Sequence, residues 1–364
     1  MDNGKVSILN VRLVCPRCGA EFDEDAPENG LLWRCVCGSP LSFARSPRAI
    51  EKRVTMGEGN TPLLEMDIDG CSAWFKLDYL CPTGSYKDRG MAALVSRLKE
   101  RGVKRVVEDS SGNAGASMAA YCAIAGIACD VYVPSYTSVG KCVQIESYGA
   151  NLVRVEGSRE DTTRAAEKSG EESYYASHNW NPWFLNGIGT WFDEAFETLP
   201  TVQNIVVPVG QGSIALGAYL AMTKLKREGR LSKYARIFAV QSENCAPLAL
   251  AFSKGLDTPV KIEKKDTAAE GIASSEPVRG SEVLAAVRQS RGCFVTVSED
   301  EIWNAFDDMA KHGIYIEPTS AAAVAGWRRL LWSHDLDRDT VVYLSGIGLK
   351  ATDKISHYKT GGTI

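Results

Sequence analysis

The sequence predicts an α/β protein with doubly wound, mostly parallel sheets. Three observations point there. From about residue 50 onward, short β-branched runs alternate with longer helical patterns. The intervening helices are long enough for crossover connections between parallel strands. At 364 residues the chain can also support two domains with cores of their own.

The expected strands are RVVED (105–109), DVYVP (130–134), NLVRV (151–155), NIVVPV (204–209), RIFAVQ (236–241), CFVTV (293–297) and VVYLS (341–345). Between them lie apolar helical stretches such as MAALVSRLKE (91–100), GASMAAYCAIAG (115–126) and GSIALGAYLAMTKLKREG (212–229). Polar, Gly-rich segments near 157–175 and 254–281 read as loops or domain-edge segments. No internal repeat or low-complexity tract is visible.

Composition narrows the function class. Hydrophobic residues make up 45% and charged residues 24%, ordinary for a globular protein. A net charge of -4 gives no electrostatic case for nucleic acid or an anionic membrane as partner. No run approaches the roughly 18 apolar residues of a spanning helix. The start, MDNGKVSILNVRLVCPRCG, lacks the order of a secretory signal, so a cytoplasmic setting is expected.

Of the eleven cysteines, four fall near the start: Cys15 and Cys18, then Cys35 and Cys37. Two such pairs, with glycine directly after Cys18 and Cys37, are the recipe for a tetrahedral zinc ribbon. The second pair is Cys-x-Cys, tighter than the usual Cys-x2-Cys, and a degenerate ribbon without metal is the alternative. Residues 1–45 are therefore expected to form a separate zinc-ribbon-like unit with a structural role. The other seven cysteines sit in apolar segments and read as small buried hydrophobes. An odd total argues against a disulfide framework.

The most informative segment is Cys81-Pro-Thr-Gly-Ser-Tyr-Lys-Asp-Arg-Gly90. Lys87 stands in a Pro/Gly/Ser turn just before a helical stretch. A helix N-terminus offers free N–H groups to an anion and disfavours an ammonium ion, as a reactive lysine requires. A bare lysine there reads more readily as a solvated helix start; the surrounding motifs reverse that.

PTGSYKDRG resembles the lysine motif GSFKDRG of the threonine synthase branch of the fold-type II pyridoxal-phosphate (PLP) enzymes. Gly57-Glu58-Gly59-Asn60-Thr61-Pro62-Leu63 is similar to the same branch's GEGNTPL. Ser110-Ser111-Gly112-Asn113-Ala114-Gly115 resembles its S-[ST]-G-N loop, and Pro208-Val209-Gly210-Gln211-Gly212-Ser213 its phosphate loop. Glu317-Pro318-Thr319-Ser320-Ala321 and Ser345-Gly346-Ile347-Gly348-Leu349-Lys350 resemble the two closing motifs. Order and spacing agree from residue 57 to residue 350.

The resemblance implies a PLP enzyme of amino-acid metabolism, cofactor in a cleft between two α/β subdomains within 46–364, the smaller at about 90–180. Lys87 would carry PLP as a Schiff base and move the Cα proton. The loop Val209, Gly210, Gln211, Gly212 and Ser213 would cradle the 5′-phosphate, for which glycines let the backbone approach one anion. Read alone, that loop is equally a tight turn, and the Ser110–Asn113 loop reads more readily as one. Asn113 would meet the 3-hydroxyl, and Ser345 the pyridine nitrogen. A neutral hydroxyl there favours elimination and replacement over transamination. Ser85, Ser110, Ser111, Gly112, Asn113 and Ala114 would bind the amino-acid substrate. A homodimer is also implied, with no regulatory domain after residue 350.

The motifs depart from threonine synthases where the substrate should differ. Ala114 and Gly115 replace hydroxyl residues, Ile347 and Ala351 replace His and Asp, and Asn186 and Gly189 replace Glu and Lys. Cations and hydroxyls that would suit a phosphorylated substrate are thereby lost. Three outcomes stay open: the threonine synthase reaction on O-phosphohomoserine; β-replacement or threonine/serine-type deamination; or a non-catalytic amino-acid binder.

Overall fold

The computed structural model describes residues 11–26, 32–45, 47, 50, 53–333, 336 and 339–361. Three short strands open the chain: β1 (Arg12–Val14), β2 (Glu21–Asp23) and β3 (Ser42–Phe43), antiparallel in the order β2-β1-β3. This unit docks on the rest of the protein through Leu13, Cys15, Cys35 and Leu41, which share one apolar cluster with the following helices. Glu24 accepts hydrogen bonds from Arg97 Nε at 3.1 Å and Trp183 Nε1 at 2.9 Å, which closes the seam.

Next comes a hairpin, β4 (Leu63–Ile68) and β5 (Cys71–Lys76). Its turn is Asp69-Gly70, both residues at positive φ (56° and 81°), the pairing that two-residue hairpins favour. The chain then alternates: α1 (Lys87–Glu100), β6 (Arg105–Glu108), α2 (Asn113–Ala125), β7 (Ala128–Pro134), α3 (Val139–Ser147), β8 (Asn151–Val155), α4 (Arg159–Ser169), β9 (Tyr174–Tyr175) and α5 (Pro182–Thr198). It continues with β10 (Asn204–Pro208), α6 (Ser213–Arg227), β11 (Arg236–Ser242), α7 (Pro247–Ser253), α8 (Gly280–Gln289) and β12 (Cys293–Val297). Last come α9 (Glu299–Lys311), α10 (Pro318–Ser333), β13 (Thr340–Tyr343) and α11 (Thr352–Lys359).

Two sheets result. One has the order β8-β7-β6-β9 and is parallel throughout. The other has the order β12-β11-β10-β13-β5-β4, parallel except for its hairpin edge. All seven β-branched runs expected as strands form strands. The segment 157–175, expected as a loop, instead holds α4 and β9. A capping box drives the helix: Ser158 accepts from the Asp161 N–H, and Asp161 accepts from the Ser158 N–H. The segment 254–281 is mostly irregular, with one 3-10 turn at Glu270–Ile272.

Helix α5 packs between α1 and α6, and its glycines set the spacing. A Cβ on Gly187 would lie 2.2 Å from the Arg89 carbonyl oxygen, and one on Gly189 would lie 3.0 Å from that of Gly217. Between these helices and the large sheet lies a buried ionic cluster. Arg89 binds Asp78 through Nε at 2.6 Å and Nη2 at 2.9 Å, and Glu194 through Nη1 at 2.6 Å. Lys76 Nζ meets Glu194 and the Thr61 carbonyl, both at 2.7 Å, while the Tyr343 hydroxyl donates to Asp78.

Burial acts to raise the Asp78 pKa, but Arg89 and Lys76 outweigh it and hold the carboxyl below its usual value. This contribution to stability is present above the unfolded pKa and is lost as pH falls through the folded one. Removing one partner of such a buried cluster costs about 3–5 kcal/mol, because the others stay charged and unpaired. Arg89→Met should therefore lower unfolding stability by about that amount in a denaturant titration. A loss under about 1 kcal/mol would show that the cluster contributes little.

Candidate active site

The turn 81–87 is fixed from both sides. Gly84 (φ 86°) lets the chain pass beside Ile347, and an antiparallel bridge pairs Ser85 with Gly346. Tyr86 N–H donates to the Ser345 carbonyl at 2.9 Å, and Ile347 N–H to that of Gly84 at 3.0 Å. The buried Asp88 carboxylate accepts from the Thr83 N–H and hydroxyl, both at 2.7 Å, and from Ser117 at 2.6 Å. Lys87, half-buried, thus opens α1 from a rigid frame.

Its amine lies over the Tyr86 ring, 3.9 Å from the centroid, and hydrogen-bonds the Tyr86 hydroxyl. That hydroxyl lies 3.0 Å from Ser213 Oγ. One tyrosine therefore joins the lysine to the glycine loop. Gly212 (φ 86°) caps α6, and a Cβ there would lie 2.3 Å from Val283 Cγ2; one on Gly210 would lie 2.7 Å from Ile272 Cα. The loop is a cradle that only glycine can form, at the N-terminus of a fifteen-residue helix. Gln211 offers its backbone, since its side chain is tied to Ser274 Oγ at 2.8 Å and to the Val278 N–H at 2.8 Å.

Lys87, Gly210, Gln211, Gly212, Ser213, Ser345 and the loop Ser110–Ala114 all line one cleft of about 1530 Å³. Two expected site residues do not. Val209 is buried in the sheet, its N–H bonded to the Val240 carbonyl at 2.8 Å. Ser85 is fully buried behind the turn, and its hydroxyl has no partner among the described residues.

The carboxylate of Glu317 bridges two residues expected to meet the cofactor. It accepts from Asn113 Nδ2 at 3.0 Å and from Ser345 Oγ at 3.0 Å. Burial pushes its pKa up, against the hydrogen bonds from Asn113 and Ser345 and the charge of Lys87. Lys350 also lines the cleft, but Thr83 and Gln144 occupy its amine, at 2.9 and 2.5 Å. Burial lowers its pKa, against Glu317 and Asp88. Tyr86, Glu317 and His178 are cleft residues without an assigned role in the sequence reading; such pairings across the chain leave no local pattern.

The model for the family described as pyridoxal-phosphate dependent enzyme matches residues 54–346. The chain belongs to this family. It is a threonine synthase-like, fold-type II PLP enzyme, a lyase by family. It is 29% identical to the threonine synthase of Methanocaldococcus jannaschii, covering 93% of each chain. To that of Mycobacterium leprae it is 30% identical, covering 82% of this chain and 84% of the relative. The fold is similar to maize serine racemase (TM-score 0.69, 21% identity, 82% and 92% covered). It is likewise similar to an L-serine ammonia-lyase from Rhizomucor miehei (TM-score 0.72, 21% identity, 83% and 98% covered). The residues present fit PLP: a half-buried amine, a glycine cradle at a helix start and hydrogen-bonding side chains between them share one cleft.

The four N-terminal cysteines also converge. Cys15 and Cys37 Sγ are 3.5 Å apart, Cys18 and Cys35 3.6 Å, and all four lie within 4.8 Å of one another. A zinc tetrahedron with Zn–S of about 2.3 Å has edges of about 3.8 Å, so the set fits that ion. Gly19 (φ 74°) and Gly38 (φ 81°) close both turns, the tighter Cys-x-Cys included.

In the first turn of α2, directly after the Ser110–Asn113 loop, a Cβ on Gly115 would lie 1.8 Å from the Ser110 carbonyl oxygen. Gly115→Ala should therefore displace the loop and raise the KM for the amino acid at least tenfold, with PLP still bound. Steady-state kinetics and the bound cofactor's absorbance check this; an unchanged KM would remove the loop from substrate binding.

Proposed function

We propose that the chain acts on an amino acid by the overall reaction of threonine synthase, in which O-phosphohomoserine and water give threonine and phosphate. The supporting observation is the meeting of Lys87, the Asn113 loop and Gly210–Ser213 in one cleft, in a chain similar to threonine synthases over most of its length. Lys87 would hold PLP, the Gly210–Ser213 backbone its phosphate, Asn113 its 3-hydroxyl and Ser345 its pyridine nitrogen. When bound, PLP supplies the electron sink that lets a proton leave Cα and a group leave the side chain. Lys87 would take the Cα proton and return it. The Ser110–Ala114 loop would hold the substrate carboxylate against the start of α2. A homodimer in the cytoplasm is the setting that the resemblance implies.

A second reading is favoured by the cations of the cleft. Arg159 binds Asp109 at 3.0 Å, Lys141 and Lys354 bind Glu270 at 2.8 and 3.2 Å, and Lys350 is held by Thr83 and Gln144. A phosphate dianion needs free cationic donors, and most of these are taken, although Arg159 Nη1 has no hydrogen-bond partner among the described residues and Lys264 also lines the cleft. An uncharged leaving group, such as the hydroxyl of serine or threonine, needs none.

Product analysis separates the readings. Phosphate and threonine in equal amounts from O-phosphohomoserine support the first. Keto acid and ammonia from serine or threonine, without turnover of the phosphorylated substrate, support the second. PLP-loaded protein that turns over neither, yet shifts its absorbance with an amino acid, would be a binding protein.

We also propose that Cys15, Cys18, Cys35 and Cys37 hold a structural zinc. Stripping it with a chelator should lower the melting temperature and leave the PLP content unchanged. Purified protein without bound zinc, and insensitive to added zinc, would point to a degenerate ribbon.

A further inference from the structure

The cleft contains a histidine that none of the motifs accounts for. His178 lines the cleft wall, its side chain only 11% exposed. Its position follows from the sheet. Strands β6 and β9 run parallel, with Val107 opposite Tyr175, and the Ala176 N–H continues the ladder to the Val107 carbonyl at 2.8 Å. The segment after β9 therefore leaves the sheet beside the Ser110–Asn113 loop that follows β6. Ligand sites of parallel sheets form at these carboxyl ends of strands.

A buried carboxylate orients the ring. Glu108, fully buried, lies 3.1 Å from His178 Nδ1 through Oε1, and it accepts the His178 N–H through Oε2 at 3.3 Å. The Asp109 N–H also donates to Oε1, at 3.2 Å. An ionised carboxylate only accepts, so the proton of the neutral ring is on Nδ1 and the lone pair on Nε2. Nε2 has no hydrogen-bond partner among the described residues, and the Phe184 ring packs against the imidazole with centroids 5.6 Å apart. Of the other two buried carboxylates on this wall, Glu317 is held by Asn113 and Ser345, while Asp109 binds Arg159 and Thr163 through Oδ2 and its Oδ1 has no partner among the described residues.

We infer that His178, held by Glu108, carries the proton of the oxygen that bonds to, or leaves, the substrate's β-carbon. The inference rests on the proposed lyase reading and adds a catalytic residue to it. Lys87 serves Cα, and a carbon–oxygen bond at Cβ needs a proton carrier of its own. When water adds, its oxygen bonds to Cβ, the Cα–Cβ π pair moves to Cα, which regains its proton from Lys87, and one water proton passes to Nε2; Glu108 stabilises the imidazolium formed. When a hydroxyl leaves, the imidazolium returns that proton to the oxygen, the Cβ–O electron pair departs with it, and water is released.

The test uses PLP-loaded wild type, His178→Asn and Glu108→Gln, with melting temperature and cofactor absorbance as checks on folding. If wild type consumes O-phosphohomoserine, His178→Asn should release phosphate within about tenfold of wild type. Threonine formed per phosphate should fall by about a hundredfold, with 2-oxobutanoate and ammonia in its place. If wild type consumes serine, His178→Asn should lose about 10²–10⁴ of that activity but far less with β-chloro-L-alanine, whose chloride leaves without a proton. Glu108→Gln should show a smaller loss of the same pattern. Equal losses on both substrates, or unchanged product ratios, overturn the inference. Nitrogen-15 NMR gives a readout independent of turnover: the neutral His178 ring should carry its proton on Nδ1, and a proton on Nε2 instead would also overturn it. Wild-type protein that holds PLP but releases no phosphate, keto acid or chloride overturns the lyase reading itself.

Discussion

The position of one amine depends on a guanidinium buried two residues further along the same helix. Arg89 is held by Asp78 beyond β5 and by Glu194 on α5, and Tyr343 of β13 binds the same aspartate. Charges this deep are tolerated only when every partner is in place. The cluster therefore fixes the first turn of α1 against both the large sheet and α5. Lys87 inherits that position, and Asp88 secures the turn before it through Thr83.

Around that fixed amine, the cleft is assembled from the carboxyl ends of parallel strands, where helix starts and Gly-rich joints collect. The Asn113 loop follows β6, the glycine cradle follows β10, and Ser345 follows β13. Their side chains are coupled as well as adjacent. Tyr86 links Lys87 to Ser213, and Glu317 links Asn113 to Ser345. The two groups are joined by the Tyr86 N–H to Ser345 carbonyl bond at 2.9 Å, so a change at one member is felt by the others.

Much of this was legible in the sequence. Seven of the parallel strands stand out because strands covered on both faces need unbroken β-branched runs. The hairpin 63–76 did not, since its edge strand alternates with Glu65 and Asp67, although Asp69-Gly70 marks the turn. Helix α4 is polar and exposed, with only Thr162 and Ala166 buried, so its apolar periodicity is faint and only the Ser158–Asp161 box reveals it. Lys87, Asn113, Ser345 and the Gly210–Gly212 cradle were visible as local patterns. Val209 and Ser85 belong to those patterns but face the interior, because side-chain direction depends on which strand or turn lies alongside. Glu317 and His178 gain their meaning from Asn113 and Glu108, partners far away in the chain.

The central claim is that Lys87 is the amine bonded to PLP. Reduction of the PLP-loaded protein with borohydride, followed by peptide mapping, tests it directly. The label should fall on Lys87, and Lys87→Ala should take none. Label on Lys350 or Lys354, two half-buried amines of the same cleft, or a protein that takes up no PLP, would contradict the account.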